Sequence, residues 1–565
     1  MKEIPDEIAH ANMAFGAYFA KTLSTLGIKE IFFSPGSRST PMIIGIERHS
    51  NIKLIPVLDE RTAGFLALGL SKRKNVPVAL ICTSGSALTH WFPAVTEASH
   101  SGIPLFLLSA DRPPELQNCG AGQTIDQTNI FGKFVRQFLQ LEVPQANKKY
   151  WDHLVSSLKC GYQNSLGLNP GPVHINFPFR EPFLAESRVG FEFDSAGFNF
   201  EFEENTYPDS PDHISNLISF SKRPLVVAGQ SVDKKHLQNS LSLEKVPIIC
   251  DSLCSVRQTN KQNLILRYEN LLRDQNFVKK ATPDIVIVLG PLPTSKTLRK
   301  WIENTSAKRI VIEPRGINVD PLCGVSQTFQ ISYNELSKIE IPPPDQEWIE
   351  HWQTAEEIVN AKLTKAFSEE LTLFEGKLSY LLSLYLPDHS NLFISNSMPI
   401  RDIEWFWKKN ASKRKLFGNR GVNGIDGTLG TAIGIAHTAD NPSFLITGDL
   451  AFLHDSNALL FTKQFQGSLT IFVINNDGGG IFEHLPISKE PEFEKCFATP
   501  QKFDLDKLCA AFGIKHSLET SWEQIIEKIK RPIESGIEVI EIVTNRKKDR
   551  ITRQRLLAIS PQSNA

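Results

Sequence analysis

The sequence predicts an α/β protein of three doubly wound domains, each built on a mainly parallel sheet. Three observations predict it. Short apolar runs of strand length recur along the chain, many ending in Gly, Ser, Asp or Asn and many followed by helix-compatible sequence, the pattern of parallel strands joined by crossover helices. The runs fall into three sets, separated by segments that resist regular structure. The chain of 565 residues also exceeds what one hydrophobic core can serve, so three or four domains of about 150 residues are expected.

The first set is EIFFSPGS (30–37), KLIPVLDE (53–60), PVALICTSG (77–85), IPLFLLSAD (103–111) and GPVHINFP (171–178). Residues 189–212 are acidic, aromatic and punctuated by proline, which marks a linker. The second set is RPLVVAGQ (223–230), VPIICDS (246–252), PDIVIVLGP (283–291) and RIVIEPRG (309–316). The run IEIPPPDQEW (339–348) is another boundary, because consecutive prolines exclude both a helix interior and a central strand. The third set is NLFISNSM (391–398), PSFLITGDL (442–450), SLTIFVINND (468–477) and IEVIEIVTN (537–545). The expected domains are therefore 1–188, 213–338 and 351–565, joined by linkers 189–212 and 339–350.

With 41% hydrophobic and 22% charged residues, the composition is that of an ordinary globular protein. A formal net charge of -1 removes any global argument for nucleic acid or an anionic membrane as partner. The first residues do not read as a secretory signal, and no window has the apolar length of a membrane span, so a cytoplasmic enzyme is the default expectation. The eight cysteines are scattered, and the closest pair, Cys250 and Cys254, has no second pair to complete a zinc site.

In open parallel sheets ligands gather beyond the carboxyl ends of the strands. Asp449 stands just past FLIT, and Asn475-Asn476-Asp477-Gly478 just past IFVI. Asp449 and Asn476 are 27 positions apart, a spacing that one strand-helix-strand unit closes. A carboxylate, an amide oxygen and a backbone carbonyl near Gly478 are hard oxygen ligands, suited to magnesium that shares its remaining positions with phosphate oxygens. An Asp after a strand also caps the next helix, and Asn-Asn-Asp-Gly also makes a turn; it is the two together at this spacing that favour a ligand site. Upstream, GNRGVNGIDGTLGTAIGIA (418–436) reads as a ligand-wrapping loop ahead of a tightly packed helix. Glu60 opens a segment of helical character whose Ala63, Gly64 and Ala67 are small enough to let a flat ring approach. A Glu at a helix start also serves simply as partner to the helix dipole.

Taken in order, SPGSRSTP (34–41), LDERTAGFLALGLSK (58–72), SADRPPEL (109–116) with CGAGQTIDQ (119–127), NSMPIRD (396–402), NRGVNGIDGT (419–428), TGDLAFLHD (447–455) and NNDGGGIFEHLP (475–486) are specific. Through them nearly the whole chain resembles the thiamine diphosphate enzymes, and among these the 2-succinyl-5-enolpyruvyl-6-hydroxy-3-cyclohexene-1-carboxylate (SEPHCHC) synthases of menaquinone biosynthesis. The resemblance implies pyrimidine-binding, central and diphosphate-binding domains. It implies a homodimer or a dimer of dimers, with Glu60 of one subunit facing a cofactor held in another by Asp449, Asn476 and Gly478 through Mg2+ or Mn2+. The thiazolium C2 of this cofactor is deprotonated by its own aminopyrimidine once a carboxyl group bonds the far ring nitrogen, and Glu60 matches that carboxyl. A Glu sheltered beside an apolar ring is biased toward its protonated, donating form.

The implied reaction decarboxylates 2-oxoglutarate and adds the succinyl carbanion to isochorismate. Both substrates are dicarboxylates, and arginine offers a rigid fork for such groups. Arg38, Arg112, Arg401 and Arg420 all lie in the matching motifs, with Ser37, Gln123 and Ser397 as neutral partners. Any one arginine is more often a solvated surface group; four in Gly- or Ser-rich strand-end loops are not so easily dismissed. Gly424 and Ile425 match cofactor-contacting positions, Ile425 as the residue that bends the cofactor. Ile481, Phe482 and Leu485 match the wall around the reacting carbon, though such side chains also make ordinary core. Lys296 matches a substrate-contacting lysine, followed by Thr297 where some relatives have arginine, so Arg299 is the candidate to compensate. Glu483 stands where a small polar residue is expected and is predicted to face solvent. His90, His454 and His484 are read as structural rather than catalytic. Competing readings are a different 2-oxo acid decarboxylase or carboligase, a catalytically silent relative, and a dinucleotide-binding oxidoreductase; for the last, VVAGQS lacks the further glycines of the fingerprint.

Overall fold

The computed structural model describes residues 3–185, 205–237, 243–322, 324 and 326–563. Most of the expected linker 189–212 lies outside the described residues, and its last residues already open the helix Pro211–Ile218. Three six-stranded sheets form, and every strand pair in them is parallel. The expected α/β class is therefore what the chain adopts.

The chain divides into two compact units. The first comprises residues 1–205, 419–438 and 454–466; the second comprises 206–418, 439–453 and 467–565. The first unit holds β1 (Glu30–Phe33), β2 (Lys53–Pro56), β3 (Val78–Cys82), β4 (Leu105–Asp111), β5 (Gln137–Gln140) and β6 (Val173–Pro178), ordered β2-β1-β3-β4-β6-β5. β3, β4 and β6 are buried at every residue, which is why they read as continuous apolar runs. Helix Glu3–Thr25 covers one face, with Phe15 edge-on to Phe177 and Phe179.

Helix Glu60–Lys74 is capped by Asp59, which accepts from the backbone N–H of Arg61 at 2.8 Å and of Thr62 at 3.3 Å, and it stops at Asn75 in the left-handed conformation. It packs on helix Thr428–Ala436, all nine residues of which are buried. The approach is glycine-mediated: a Cβ on Gly69 would lie 2.1 Å from the Thr431 carbonyl oxygen, and one on Gly434 would lie 2.2 Å from that of Leu66.

The second unit holds two sheets. One contains β7 (Pro224–Ala228), β8 (Ile248–Cys250), β9 (Leu264–Ile265), β10 (Ile285–Leu289), β11 (Lys308–Ile312) and β12 (Ser326–Phe329), ordered β12-β11-β10-β7-β8-β9. The other contains β13 (Asn391–Ile394), β14 (Lys415–Phe417), β15 (Ser443–Gly448), β16 (Ser468–Asn475), β17 (Lys515–Leu518) and β18 (Gly536–Val543). Its order, β14-β13-β15-β16-β18-β17, repeats the topology of the first sheet. Helix Gln346–Glu369 begins just after the proline run and contributes Trp348, Trp352 and Val359 to a core shared with both sheets. The five strands that the apolar runs do not announce, β5, β9, β12, β14 and β17, all stand at sheet edges.

Candidate active site

Within the second unit, β15 and β16 are neighbours in register, Gly448 opposite Ile474, so Asp449 and Asn476 emerge at the same sheet end. Asp449 accepts from the Gly478 N–H at 2.8 Å and from the Leu450 N–H at 2.7 Å. Burial pushes its carboxyl up to about 6, against the pull of those two N–H donors. The Asn476 amide nitrogen donates to Glu375 at 3.2 Å, and its buried amide oxygen has no protein partner among the described residues. Glu375 is in turn gripped by Arg553, which also forks onto Asp402 at 2.7 and 2.8 Å. Burial raises the Asp402 carboxyl to about 6. This chain of partners fixes the Asn476 amide nitrogen and leaves its oxygen without a protein partner among the described residues.

Gly478 has φ +125°, and a Cβ there would sit 2.3 Å from the Ala498 carbonyl oxygen, so only glycine serves. Among the described residues no three His, Cys, Asp or Glu side chains cluster as a metal site. The available set is one carboxylate, one unpartnered amide oxygen and a nearby backbone carbonyl. That set fits a hard divalent cation completed by phosphate oxygens.

Also in the second unit, a cavity of about 1120 Å³ is lined by Lys296, Arg401, Ile481, Phe482 and Leu485 together with Arg273. Arg401 donates to the carbonyl of Ser397, a residue at φ +72° that turns the chain into helix Met398–Phe406. His484 also faces the cavity, and its Nε2 lies 3.2 Å from Arg553. Burial first, and then the charges of Arg553, Arg550, Arg401 and Arg273, hold its imidazole down at about 4.

Two expectations are corrected here. Glu483 does not face solvent: its side chain is buried and paired at 3.0 Å with Arg546, a cation fixed under that turn by donation to the Asp477 carbonyl at 2.7 Å and shared with Glu494. Arg299 does not stand in for an arginine at Thr297: it donates to the carbonyls of Pro293 and Leu292 at 3.0 and 3.3 Å and does not line the cavity. Thr297 itself donates to Glu269 at 2.7 Å.

In the first unit, Arg38 is buried at the end of β1, donating to the Phe179 carbonyl and to Glu181, each at 2.9 Å. Burial lowers its pKa, and so does the nearby charge of Arg112. Ser37 beside it is exposed. Arg112 donates to the Ser84 hydroxyl and, at 3.1 Å, to the Gly122 carbonyl. Gln123, at φ +57°, donates to the Ser84 carbonyl at 3.1 Å. Arg38, Arg112 and Gln123 thus share one end of the first sheet.

Glu97 was not singled out by sequence, yet it is buried and accepts from the N–H groups of Gly421 and Val422 at 3.0 and 2.8 Å, tying down the loop that carries Arg420, Gly424 and Ile425. Its only sequence signal is an acid within a largely apolar helix. Glu60 is the first residue of its helix and half-buried. The small residues after it serve packing rather than ring approach: a Cβ on Gly64 would meet Ala94 at 3.0 Å, and Ala63 and Ala67 are buried. Arg553 and Arg546 were also missed, since a helix reading RKKDRITRQRLL looks like a solvated face.

Doubly wound parallel domains, with a hard-oxygen set at one strand-end turn, suit a diphosphate-binding enzyme, and the similarity to known proteins makes it a thiamine diphosphate-dependent one. The comparisons agree: residues 13–130 match the thiamine pyrophosphate enzyme N-terminal TPP binding domain, and residues 404–542 match the C-terminal TPP binding domain. Among curated relatives, 2-succinyl-5-enolpyruvyl-6-hydroxy-3-cyclohexene-1-carboxylate synthase of Gloeothece citriformis is 39% identical, covering 96% of this chain and 97% of its own. The proteins of that name from Trichodesmium erythraeum (38%, covering 95% and 96%) and a Nostoc species (39%, covering 97% of each) are similar to the same degree. The chain belongs to the 2-succinyl-5-enolpyruvyl-6-hydroxy-3-cyclohexene-1-carboxylate synthase family.

Proposed function

We propose that this protein decarboxylates 2-oxoglutarate and joins the remaining four-carbon succinyl unit to the conjugated double bond of isochorismate, releasing carbon dioxide and forming 2-succinyl-5-enolpyruvyl-6-hydroxy-3-cyclohexene-1-carboxylate for menaquinone or phylloquinone synthesis in the cytoplasm. When bound, thiamine diphosphate supplies the carbon nucleophile that adds to a 2-oxo acid and stores the electron pair left by carbon dioxide. Asp449, Asn476 and the Gly478 carbonyl would hold Mg2+ or Mn2+, the ion that anchors the diphosphate. Glu60 from the partner subunit of a homodimer or dimer of dimers would hydrogen-bond the aminopyrimidine ring nitrogen through its carboxyl group. Gly424, Ile425, Ser397, Ile481 and Phe482 position the cofactor. Arg38, Arg112, Gln123, Arg401, Arg420, Ser37 and Lys296 orient the substrate carboxylates, and apolar Ile481, Phe482 and Leu485 keep water from the reacting carbon.

The observation that carries this reading is the cavity in which Lys296 and Arg401 face Ile481, Phe482 and Leu485, cations for carboxylates beside an apolar wall. Purified protein given 2-oxoglutarate, isochorismate, thiamine diphosphate and Mg2+ should release carbon dioxide and form the succinylated adduct, detected by mass. Turnover of pyruvate or benzoylformate in preference to 2-oxoglutarate would replace this reading with another decarboxylase or carboligase.

A further inference from the structure

We propose that Arg273 is a further substrate-binding residue, taking one substrate carboxylate in the cavity that Lys296 and Arg401 also line; the proposal rests on the functional reading above. Arg273 faces this cavity with a half-exposed side chain. One guanidinium nitrogen, Nη2, donates to Glu269 at 2.6 Å, four residues earlier. Nε and Nη1 have no hydrogen-bond partner among the described residues, so N–H groups remain on both edges of the guanidinium for a carboxylate oxygen.

Its pairing with Glu269 does not account for it. Glu269 is buried and already accepts from the hydroxyls of Ser295 and Thr297. An i,i+4 ion pair with one exposed member adds little stability. The acids around the cavity are likewise engaged. Asp274 caps helix Gln275–Lys280 through the N–H groups of Asn276 and Phe277, and Glu404 is paired with Tyr268 and Arg257. Arg553 is spent on Glu375 and Asp402. Arg273 therefore stands with Lys296 and Arg401 as cavity charge that an anionic ligand can meet. His484 lines the same cavity, and after burial and the charges of Arg553, Arg550 and Arg401, that of Arg273 also lowers its imidazole. Arg299, the nearer candidate in sequence to Lys296, is turned onto backbone carbonyls instead.

The test is steady-state kinetics on the Mg2+- and thiamine diphosphate-loaded enzyme, with 2-oxoglutarate and isochorismate each varied at saturation of the other. Arg273→Gln should raise KM for one of the two about tenfold to hundredfold, the range of a lost charge-assisted hydrogen bond, with kcat within about threefold. Arg273→Lys should recover part of that loss. The substrate whose KM moves identifies the carboxylate. An active wild type whose Arg273→Gln variant keeps both KM values within about twofold, raises both in parallel, or loses only kcat, overturns the assignment of Arg273. A folded wild type that makes no product overturns the functional reading and, with it, this proposal.

Discussion

Asn476 is the proposed metal contact most directly open to test. Its amide nitrogen is committed to Glu375 and its buried oxygen has no protein partner, and a buried unsatisfied oxygen costs about 1–3 kcal/mol unless something fills the role. Asn476→Ala should therefore leave the fold intact while raising the Mg2+ concentration for half-maximal thiamine diphosphate binding, read by calorimetry, by about tenfold to hundredfold. An unchanged Mg2+ midpoint would remove Asn476 from the ligand set. A second residue sets a pH response. His174 is buried on β6 with Nε2 2.7 Å from the Ser109 hydroxyl, and burial lowers its imidazole from 6.5 to about 3. Between those values the unfolded chain takes up a proton that the folded chain refuses. The stability linked to His174 is thus complete above pH 6.5 and declines as pH falls toward 3. A His174→Gln variant should lack that decline, so its unfolding free energy should gain on the wild type between pH 7 and 5, by up to about 1.4 kcal/mol per pH unit; parallel curves would show that His174 titrates normally. Asp449 and Asn476 were legible because each follows an apolar strand and the two stand at the spacing that one strand-helix-strand unit closes. Glu375 and Arg553, which orient Asn476, were not, since nothing local separates a buried ion pair from a solvated one.

Elements were legible where both faces of a strand are buried. β4 and β6, covered throughout, announce themselves as unbroken apolar runs. β5, β12, β14 and β17, half-exposed at sheet edges, mix polar and apolar residues and carry no such run, and β9 is only two residues long. The glycine-rich segment before helix Thr428–Ala436 was read correctly as leading into tight packing, but its partner could not be named from sequence. The partner is helix Glu60–Lys74, and the interlock at Gly69 and Gly434 is testable. In a helix interior Gly→Ala normally stabilises by about 1 kcal/mol. At Gly69 the added methyl would lie 2.1 Å from a backbone oxygen and 2.9 Å from the Ile435 nitrogen, neither of which can move alone. Overpacking of about 1–3 kcal/mol or more should outweigh the propensity gain, lowering the thermal midpoint of Gly69→Ala. Gly64→Ala meets the Ala94 side chain at 3.0 Å and otherwise Trp91 at ordinary contact distances of 3.6 and 3.8 Å, and should be close to neutral. Equal effects at the two positions would argue against helix contact as the cause.

At the scale of the whole molecule, the proposed chemistry draws on Glu60 near the start of the chain and Asp449 near its end. The proposed assembly, with Glu60 of one subunit serving the cofactor of its partner, makes a prediction that a site within one chain does not. Glu60→Gln alone should bind cofactor yet lose about 10²- to 10⁴-fold in turnover, through loss of the carboxyl proton. Asp449→Asn alone should fail to hold the metal and be comparably inactive. In a closed twofold dimer the mixed species carries one site with both defects and one with neither. Random re-association of equal amounts of the two variants makes about half the dimers mixed, so activity should climb from the floor of either parent to about a quarter of wild type. Mass spectrometry of the intact complex verifies that mixed dimers formed. Mixed dimers that stay at the parental floor would place Glu60 and Asp449 of the same chain at one site, and the proposed exchange of active-site groups between subunits would have to be abandoned.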